Sequence, residues 1–209
     1  MVEYFGKHGC KQAIRSKPVR FGYKVWCQNL PLGYLAAFDL YQGKTYHGNE
    51  EVEFSFGKSA SSVLHLVSQY SISKSSLPYH FYFDNLFTTF PLLKELKEKG
   101  YNGTGTIRAN RIGKSCPLAS NKSVEKKDRG YMDVATAEVD NHCNIIVTKW
   151  RDNAVVTVAS TLHEKEPEGS ARRWSKAEKQ HVIIPVPTAI QHYNSCMSGT
   201  DRMDQNINA

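Results

Sequence analysis

The sequence predicts a mixed α/β fold in which helices flank a sheet. Strand-like and helix-like segments alternate between residues 59 and 100, and three β-prone runs follow between residues 131 and 161. Such an order of elements is typical of α/β domains. The 209 residues are 40% hydrophobic and 11% aromatic, which is enough to fill one sizeable core. Length and composition also allow two small domains, but the sequence has no internal repeat and no flexible linker, so we expect a single domain over residues 1–209.

The first elements are predicted to be a hairpin and a helix. Residues 23–27 and 34–41 are rich in aromatic and apolar side chains, and residues 29–33 between them have the composition of a turn. The apolar residues of the next segment fall at helical spacing: Val63, Leu66, Val67 and Tyr70. Three serines are the candidate caps of this helix: Ser59, Ser61 and Ser62.

A buried strand and an amphipathic helix come next. Residues 79–83 are nearly all aromatic and follow a segment that contains Ser and Pro, as expected of a short strand buried on both faces of a sheet. Pro91 stands near a helix start, leucines follow on one side, and Gly100 provides a stop. These signals predict a short helix over roughly residues 91–99.

The later part of the chain is predicted to be richer in strands. Residues 131–139, 144–150 and 154–160 are β-prone and are separated by short turns with Asp and Asn, which predicts a three-stranded antiparallel meander. The polar segment 161–180 is predicted to be a surface excursion with a helix around residues 174–179.

A helix is also predicted close to the end of the chain. Residues 185–187 favour extended backbone, and Thr188 is the candidate cap of the helix that follows. The apolar positions of this helix are Ile190, Tyr193 and Met197. Residues 198–199 interrupt the pattern, and a second helical turn begins at residue 200.

The positive charge of the chain is concentrated in two segments. The net charge is +7, and residues 1–35 carry +5, residues 91–130 carry +6 and the remainder carries −4. Such clusters suit a polyanion, because neutralising phosphates with release of counterions is the main source of sequence-independent affinity for nucleic acids. Ordinary solvated faces are the alternative, and charge alone does not decide between the two.

Several classes of protein are excluded. The five cysteines are scattered without a CxxC pair, so we expect reduced thiols and no zinc site in this chain. No run of about eighteen apolar residues is present, which excludes a membrane-spanning helix. Residues 1–18 lack the apolar core of a signal peptide, and we expect a soluble intracellular protein. Dinucleotide, P-loop, zinc-protease and nucleophile-elbow motifs are absent.

Carboxylates are the remaining candidates for chemistry. Asp84 ends the predicted buried strand, where an ionised carboxylate needs a partner or a cation. Asp201 and Asp204 are three residues apart, so on a helix they share a face and can offer oxygens to one Mg²⁺. Pairs of metal ions held by carboxylates drive phosphodiester chemistry. The alternative is that Asp84 caps the next helix and the other pair marks a helix start, and spacing alone favours this alternative.

Motifs in nearly every part of the chain resemble those of one family, the piggyBac transposases and the host proteins derived from them. The motifs that carry the resemblance are FGK at residues 5–7, Lys17-Pro18, FDNLFTT at residues 83–89, GYNGTGTIR at residues 100–108, Asn110-Arg111, WRDN at residues 150–153, Tyr193-Asn194, Asp201 and Asp204-Gln205. The resemblance covers nearly the whole chain. Its most specific part is the C-terminal set.

The resemblance implies a fold and an activity. The fold is an RNase H-like mixed sheet with flanking helices and an antiparallel β-meander, whose aspartates bind two Mg²⁺ or Mn²⁺ ions and cut and join DNA at TTAA targets. Asp84 matches the second catalytic aspartate of the family, Asp201 the third, and Asp204 the additional aspartate nearby. Basic residues beside the catalytic face become candidates for phosphate contacts: Lys11, Arg15, Lys17, Arg20, Arg108, Arg111 and Lys114.

The resemblance also implies that the core is incomplete at both ends. The first catalytic aspartate of the family belongs to an Asp-Glu-x-Met motif whose methionine matches Met1, so the first strand is truncated and that aspartate lies outside these 209 residues. The helical dimerisation region and the zinc domain of the family lie outside them too, and a homodimer would form through such regions.

We therefore expect a nuclear, DNA-associated protein derived from a piggyBac transposase. We expect these 209 residues to be catalytically defective, because the first catalytic aspartate is missing from them. One alternative is an active metal-dependent DNA transposase or nuclease that is part of a longer chain. Another is a non-enzymatic interaction domain or a degenerate remnant.

Overall fold

The structure is a computed structural model that describes residues 1–15, 19–43, 50–113, 115–140, 143–166 and 169–207. The strands and helices follow in this order: β1 (Val2–Glu3), β2 (Lys11–Ala13), β3 (Phe21–Tyr23), β4 (Val25–Asn29), β5 (Leu35–Leu40), α1 (Glu50–Phe56), α2 (Lys58–Ser68), α3 (Ile72–Ser75), β6 (His80–Phe83), α4 (Phe90–Glu98), β7 (Asn102–Thr106), a 3₁₀ turn (Ala109–Arg111), α5 (Asn121–Val124), β8 (Met132–Asp140), β9 (Cys143–Arg151), β10 (Val155–Ser160), β11 (Gly169–Ser175), β12 (Gln180–Val186), α6 (Thr188–Cys196) and α7 (Gly199–Ile207). The mixed α/β class is confirmed.

The chain divides into two compact units. The first unit contains Met1–Ser71 together with Ser198–Ala209, and the second contains Ile72–Met197. The single domain over residues 1–209 stays a prediction. No helix in the described part of the chain is both long enough and apolar enough to cross a bilayer.

The first unit contains a small sheet and the expected hairpin. Strands β1, β3 and β2 lie side by side in that order and are antiparallel. Strands β4 and β5 pair across the turn, where the Leu30 amide donates to the Tyr34 carbonyl at 2.8 Å. Gly33 in this turn has φ +90, and a Cβ there would lie 2.9 Å from the Met203 nitrogen of α7. The turn thus needs glycine both for its conformation and for its close approach to α7.

Helix α2 is confirmed, but its predicted serine cap is wrong. The helix begins after Gly57, and no side chain makes a capping hydrogen bond there. The hydroxyl groups of Ser61 and Ser62 donate instead to the Lys58 carbonyl, at 2.8 and 3.2 Å. These serines lie inside the first turns, where a hydroxyl bonds back to a preceding carbonyl and not to the free amides at the helix start.

A five-stranded mixed sheet is the centre of the second unit. The strand order is β6-β7-β10-β9-β8, with β6 and β7 parallel and all other pairs antiparallel. The meander of β8, β9 and β10 is confirmed. Helix α4 packs on the sheet through Leu92, Leu93 and Leu96, which are completely buried.

Strand β6 was expected to be buried on both faces, and this is wrong in part. Among the described residues it pairs with β7 alone and is the edge of the sheet. Phe81 and Phe83 are buried, whereas His80 and Tyr82 are only partly buried. The strand therefore has one apolar face and one face that carries hydrogen-bonding rings.

The predicted helix around residues 174–179 is wrong. Strands β11 and β12 form an antiparallel hairpin here, and exposure alternates along β11. The two-residue alternation of exposure matches the pleat of a strand and not the period of a helix. Behind the hairpin, a core cluster joins Trp150, Val158, Ile184, Val186, Ala189 and Ile190.

The two C-terminal helices are confirmed, with one correction to the cap. Pro187 precedes α6 and there is no side-chain capping bond, so the predicted cap at Thr188 is wrong. The amides of Thr188 and Ala189 donate instead to the backbone carbonyls of Lys165 and Glu164, at 3.1 and 3.3 Å. Backbone oxygens from a neighbouring segment thus satisfy amides that a cap would serve.

Candidate functional site

Asp84 begins a tight turn at the end of β6 in the second unit. Its carbonyl accepts hydrogen bonds from the amides of Phe87 and Thr88 at 3.1 and 3.3 Å, and its Oδ1 accepts from the Leu86 amide at 3.0 Å. The cap of α4 is Thr89, whose Oγ1 accepts from the Leu92 amide at 3.3 Å. Asp84 therefore does not cap that helix, and its exposed carboxylate stands at the end of a strand in a parallel pair.

Arg111 holds this turn by its carbonyl groups. Its Nη1 donates to the carbonyl oxygens of Asn85 and Thr88 at 2.7 and 2.8 Å, and its Nη2 donates to that of Leu86 at 3.1 Å. A planar guanidinium can satisfy several acceptors at once, which an ammonium group cannot do with the same geometry. The pKa of Arg111 is lowered by burial and, to a lesser degree, by the positive charge of Arg108.

Arg108 lies on the outer side of the same turn. Its Nε donates to Oδ1 of Asn85 at 2.9 Å, and the residue is exposed. The fold therefore brings two of the predicted phosphate contacts, Arg108 and Arg111, to the turn that begins with Asp84. Arg111 has a structural role there that the sequence prediction did not contain.

Tyr193 is a residue that was not among the predicted site residues. It lies on α6, and its hydroxyl is 3.3 Å from Oγ1 of Thr106, at the end of β7. Burial raises the pKa of Tyr193 and the negative charge of Asp84 raises it further, although the hydrogen bond with Thr106 acts against both. The Tyr193-Asn194 pair in the family motifs and the helical spacing of Tyr193 were the signals that could have identified it.

Asp201 and Asp204 lie on α7 in the first unit. Both are exposed and lie one turn apart, whereas Met203 between them is buried. Asp201 is in the first turn of the helix, where a carboxylate interacts favourably with the helix dipole. After burial, the negative charge of Asp204 is a further cause that raises the pKa of Cys27 on β4, while the positive N-terminus acts against it.

Helix α7 is fixed to the β4–β5 hairpin by polar contacts near its start. Asn29 Nδ2 donates to Oγ1 of Thr200 at 2.9 Å, and Arg202 Nη1 donates to the Pro31 carbonyl at 3.0 Å. A Cβ at Gly199 would lie 2.6 Å from the Leu30 carbonyl oxygen, so only glycine fits this approach. The two aspartates of α7 are thus carried by a helix with a defined position on its own unit.

The described residues do not form a complete metal site. Within the ranges that the structure describes, no three His, Cys, Asp or Glu side chains are placed to hold one ion. A Mg²⁺ ion requires near-octahedral oxygen ligands, and each ion of a two-metal site needs several of them. Neither unit alone supplies such a set from the predicted aspartates, because Asp84 is one carboxylate in the second unit and Asp201 with Asp204 are two in the first.

The basic residues near the start of the chain belong to the first unit. Lys11 Nζ donates to the carbonyls of Phe5 and Gly6 at 3.2 and 3.1 Å. Arg15 and Arg20 are exposed. Lys17 and Lys114 lie outside the described residues. All of these positions stay predictions as phosphate contacts.

Two further questions are whether the tryptophans can stack on bases and whether the cysteines are free. Trp26 and Trp150 are 7% and 2% exposed, so they belong to the cores and are closed to stacking on bases. The five cysteines are free thiols: Cys10, Cys27, Cys116, Cys143 and Cys196.

Comparison with known proteins gives the class of protein first. A family model described as Transposase IS4 matches residues 1–209, the whole chain. The chain is therefore related to enzymes that move DNA segments. No solved structure matches the chain.

Three human proteins then give the family. The chain is 42% identical to PiggyBac transposable element-derived protein 3 and 38% identical to PiggyBac transposable element-derived protein 2, over 99% of its length in both cases. It is also 42% identical to the Chimeric ERCC6-PGBD3 protein. The chain belongs to the piggyBac transposase family. It spans 33%, 34% and 19% of the lengths of protein 3, protein 2 and the chimeric protein.

Proposed function

We propose that this chain is a DNA-associated nuclear protein built on the RNase H-like core of a piggyBac transposase. The observation that carries the proposal is the turn after β6, where an exposed aspartate, Asp84, and two arginines, Arg108 and Arg111, come together. An acidic group beside cations at the end of a strand suits a site that acts on phosphate groups. The mixed sheet, with Asp84 directly after a strand in a parallel pair, supports the RNase H-like assignment.

The charge distribution supports DNA as the partner. The segments 1–35 and 91–130 together carry +11, and the second contains both arginines of the turn. Contacts to phosphates give affinity and position without sequence information. A preference for TTAA sequences and a homodimer are parts of the same proposal that rest on the family alone.

DNA binding by the 209-residue chain tests the proposal. We expect a fluorescein-labelled duplex to bind in low salt, with the logarithm of the association constant falling by roughly 0.9 per phosphate contact for each tenfold rise in salt. Arg108→Gln should weaken binding and make this slope shallower by about one contact. Lys74→Gln is the control, since Lys74 is an exposed lysine of the same unit outside both basic segments. Absence of binding by folded protein in low salt, or binding that salt does not weaken, would overturn the proposal.

DNA cleavage is the second candidate function. The exposed carboxylate of Asp84 at the end of β6 is the observation that favours it. By the family resemblance, Asp84, Asp201 and Asp204 would be metal ligands and Mg²⁺ or Mn²⁺ the cofactor, in a longer chain that supplies the first catalytic aspartate. Catalytic defectiveness of the 209 residues stays a prediction.

A non-enzymatic interaction domain remains the alternative to both candidates. Failure of the folded chain to bind DNA would favour it. A degenerate remnant, by contrast, need not unfold cooperatively.

A further inference from the structure

The β11–β12 ribbon, formed by Gly169–Ser175 and Gln180–Val186, carries an exposed tryptophan. Trp174 is 52% exposed, whereas the other two tryptophans of the chain are buried in the cores. Its ring meets His181 edge to face, with the centroids 5.3 Å apart. An exposed ring of this size, supported from one side, is a feature of binding surfaces.

The ribbon has one face towards the core and one towards solvent. Arg172 and Trp174 point outwards from β11, and their partners on β12 are Ile183 and His181. Ile183 is itself 75% exposed. The alternate residues of β12 face inwards, where Ile184 packs in the cluster around Trp150. The outer face therefore presents an aromatic ring and a cation that no described element covers.

The charge of the ribbon is positive. Residues 169–186 contain four Lys or Arg residues and one acidic residue, Glu178. Glu178 already accepts hydrogen bonds from Ser175 and Gln180 at 3.5 and 3.1 Å. Lys176 and Lys179 stand exposed at the tip on either side of it. This net positive charge is complementary to a polyanion.

An ion-pair network fixes the strand that carries Trp174. Arg129 Nη1 donates to the Trp174 carbonyl at 3.0 Å, and its Nη2 lies 2.6 Å from Oδ1 of Asp152. Arg173 Nε donates to Oδ2 of Asp152 at 3.0 Å. Burial acts to raise the pKa of Asp152, but the hydrogen bonds from Arg173 and Arg129 prevail and lower it. The strand is thus held in place before a partner arrives, which reduces the entropy lost on binding.

We propose that the outer face of the β11–β12 ribbon binds DNA, with Trp174 stacked on an unpaired base and Arg172 and the tip lysines on phosphates. Aromatic side chains beside a positively charged surface are the usual means of holding single strands, because every base offers a π face. The stacked ring tolerates any sequence, which suits a protein whose other contacts are to phosphates. The inference rests on the proposed function, since both name DNA as the partner, but it assigns a separate surface.

Binding of a labelled single strand and of its fully paired duplex tests the inference. Trp174→Ala should weaken single-strand binding about five-fold or more and leave duplex binding nearly unchanged. Arg172→Gln should weaken both. The matched controls are Leu162→Ala, an apolar residue of the same unit that is 50% exposed, and Lys74→Gln, and both should bind as wild type. Thermal unfolding of each variant establishes that it is folded.

Quenching of tryptophan fluorescence by acrylamide provides an independent readout. Because Trp26 and Trp150 are buried, the emission that acrylamide reaches comes from Trp174, and Trp174→Phe should remove it. Saturating single strand should protect this emission. The inference is overturned if acrylamide quenching is unchanged in the complex, or if Trp174→Ala and Arg172→Gln both bind the single strand as tightly as wild type. The exposed face of the ribbon would then be a candidate surface for binding a protein. If the wild-type chain binds no DNA at all, the proposed function fails with it.

Discussion

At the scale of single residues, Arg111 shows what a sequence motif can and cannot indicate. The sequence identified it as a basic residue near Asp84 and predicted contact with phosphates. In the fold, its guanidinium donates to three backbone carbonyls of the turn after β6. These partners lie more than twenty residues away in sequence, so neither spacing nor composition could reveal them. The position of Asp84 at a strand end, by contrast, was predictable because it directly follows an aromatic run.

Arg111→Lys should destabilise the fold by about 1–3 kcal/mol, because a lysine cannot satisfy three carbonyls that the turn orients towards a planar fork. The matched control is Arg108→Lys, which should cost less than about 1 kcal/mol, since Arg108 meets the same turn through the exposed side chain of Asn85. Urea unfolding of the two variants measures the difference. Equal losses of stability in both would show that the carbonyl contacts of Arg111 contribute little.

At the scale of elements, local patterns predicted the longest helices and the β8–β10 meander. The leucines of α4 and the turn residues of the β8–β10 meander are local signals, and both elements formed as expected. The β11–β12 ribbon was missed because its position depends on packing against a core around Trp150, which is distant in the sequence. The position of β6 at the sheet edge is likewise a property of strand order, which a single sequence does not display.

A stack of histidine rings between β6 and α6 is a further feature that only the fold reveals. His80 and His163 have ring centroids 4.8 Å apart, and His163 and His192 have theirs 4.2 Å apart. His80 Nε2 is 2.8 Å from Oγ1 of Thr104. Burial, followed by the charges of His163 and His192, lowers the pKa of His80 to about 4. Burial and the charge of His192 also lower the pKa of His163.

The free energy of unfolding should therefore fall as the pH falls below about 6.5, the ordinary pKa of histidine. Well above that pH, His80 and His163 are neutral in the folded and in the unfolded chain. Between about 6.5 and 4, these two residues bind protons more readily in the unfolded chain than in the folded one, so the free energy of unfolding falls as the pH falls. Urea unfolding at pH 7 and pH 5 measures this, and His80→Asn should reduce the dependence. His181→Asn, on the exposed face of the ribbon, is the control. A pH dependence that His80→Asn leaves unchanged would contradict the explanation.

At the scale of the whole molecule, the sequence predicted the family but not the geometry of the site. Motifs from residue 5 to residue 205 indicated a piggyBac transposase, and the family match over residues 1–209 confirms this. The candidate aspartates, however, were linked only by resemblance. They lie in two units, Asp84 in one and Asp201 with Asp204 in the other. The order of motifs along a chain indicates the family to which it belongs. It does not give the distances between side chains, which decide whether they can hold a metal ion.

We expect the 209-residue chain to bind DNA without nicking it in Mg²⁺ or Mn²⁺. Among the described residues no three candidate ligands are placed to hold one ion, and Asp201 with Asp204 gives only two carboxylates on one helix face. The measurements are nicking of supercoiled plasmid and thermal unfolding, each with millimolar metal or with EDTA. The unfolding temperature should not change with metal, because an ion stabilises a fold only by binding its native state. The expectation is contradicted if the chain nicks DNA, if Mn²⁺ restores nicking after EDTA, and if Asp84→Ala abolishes it. Cleavage would then be established as the function. Glu98→Gln, at the exposed end of α4, is the control for the loss of an acidic charge.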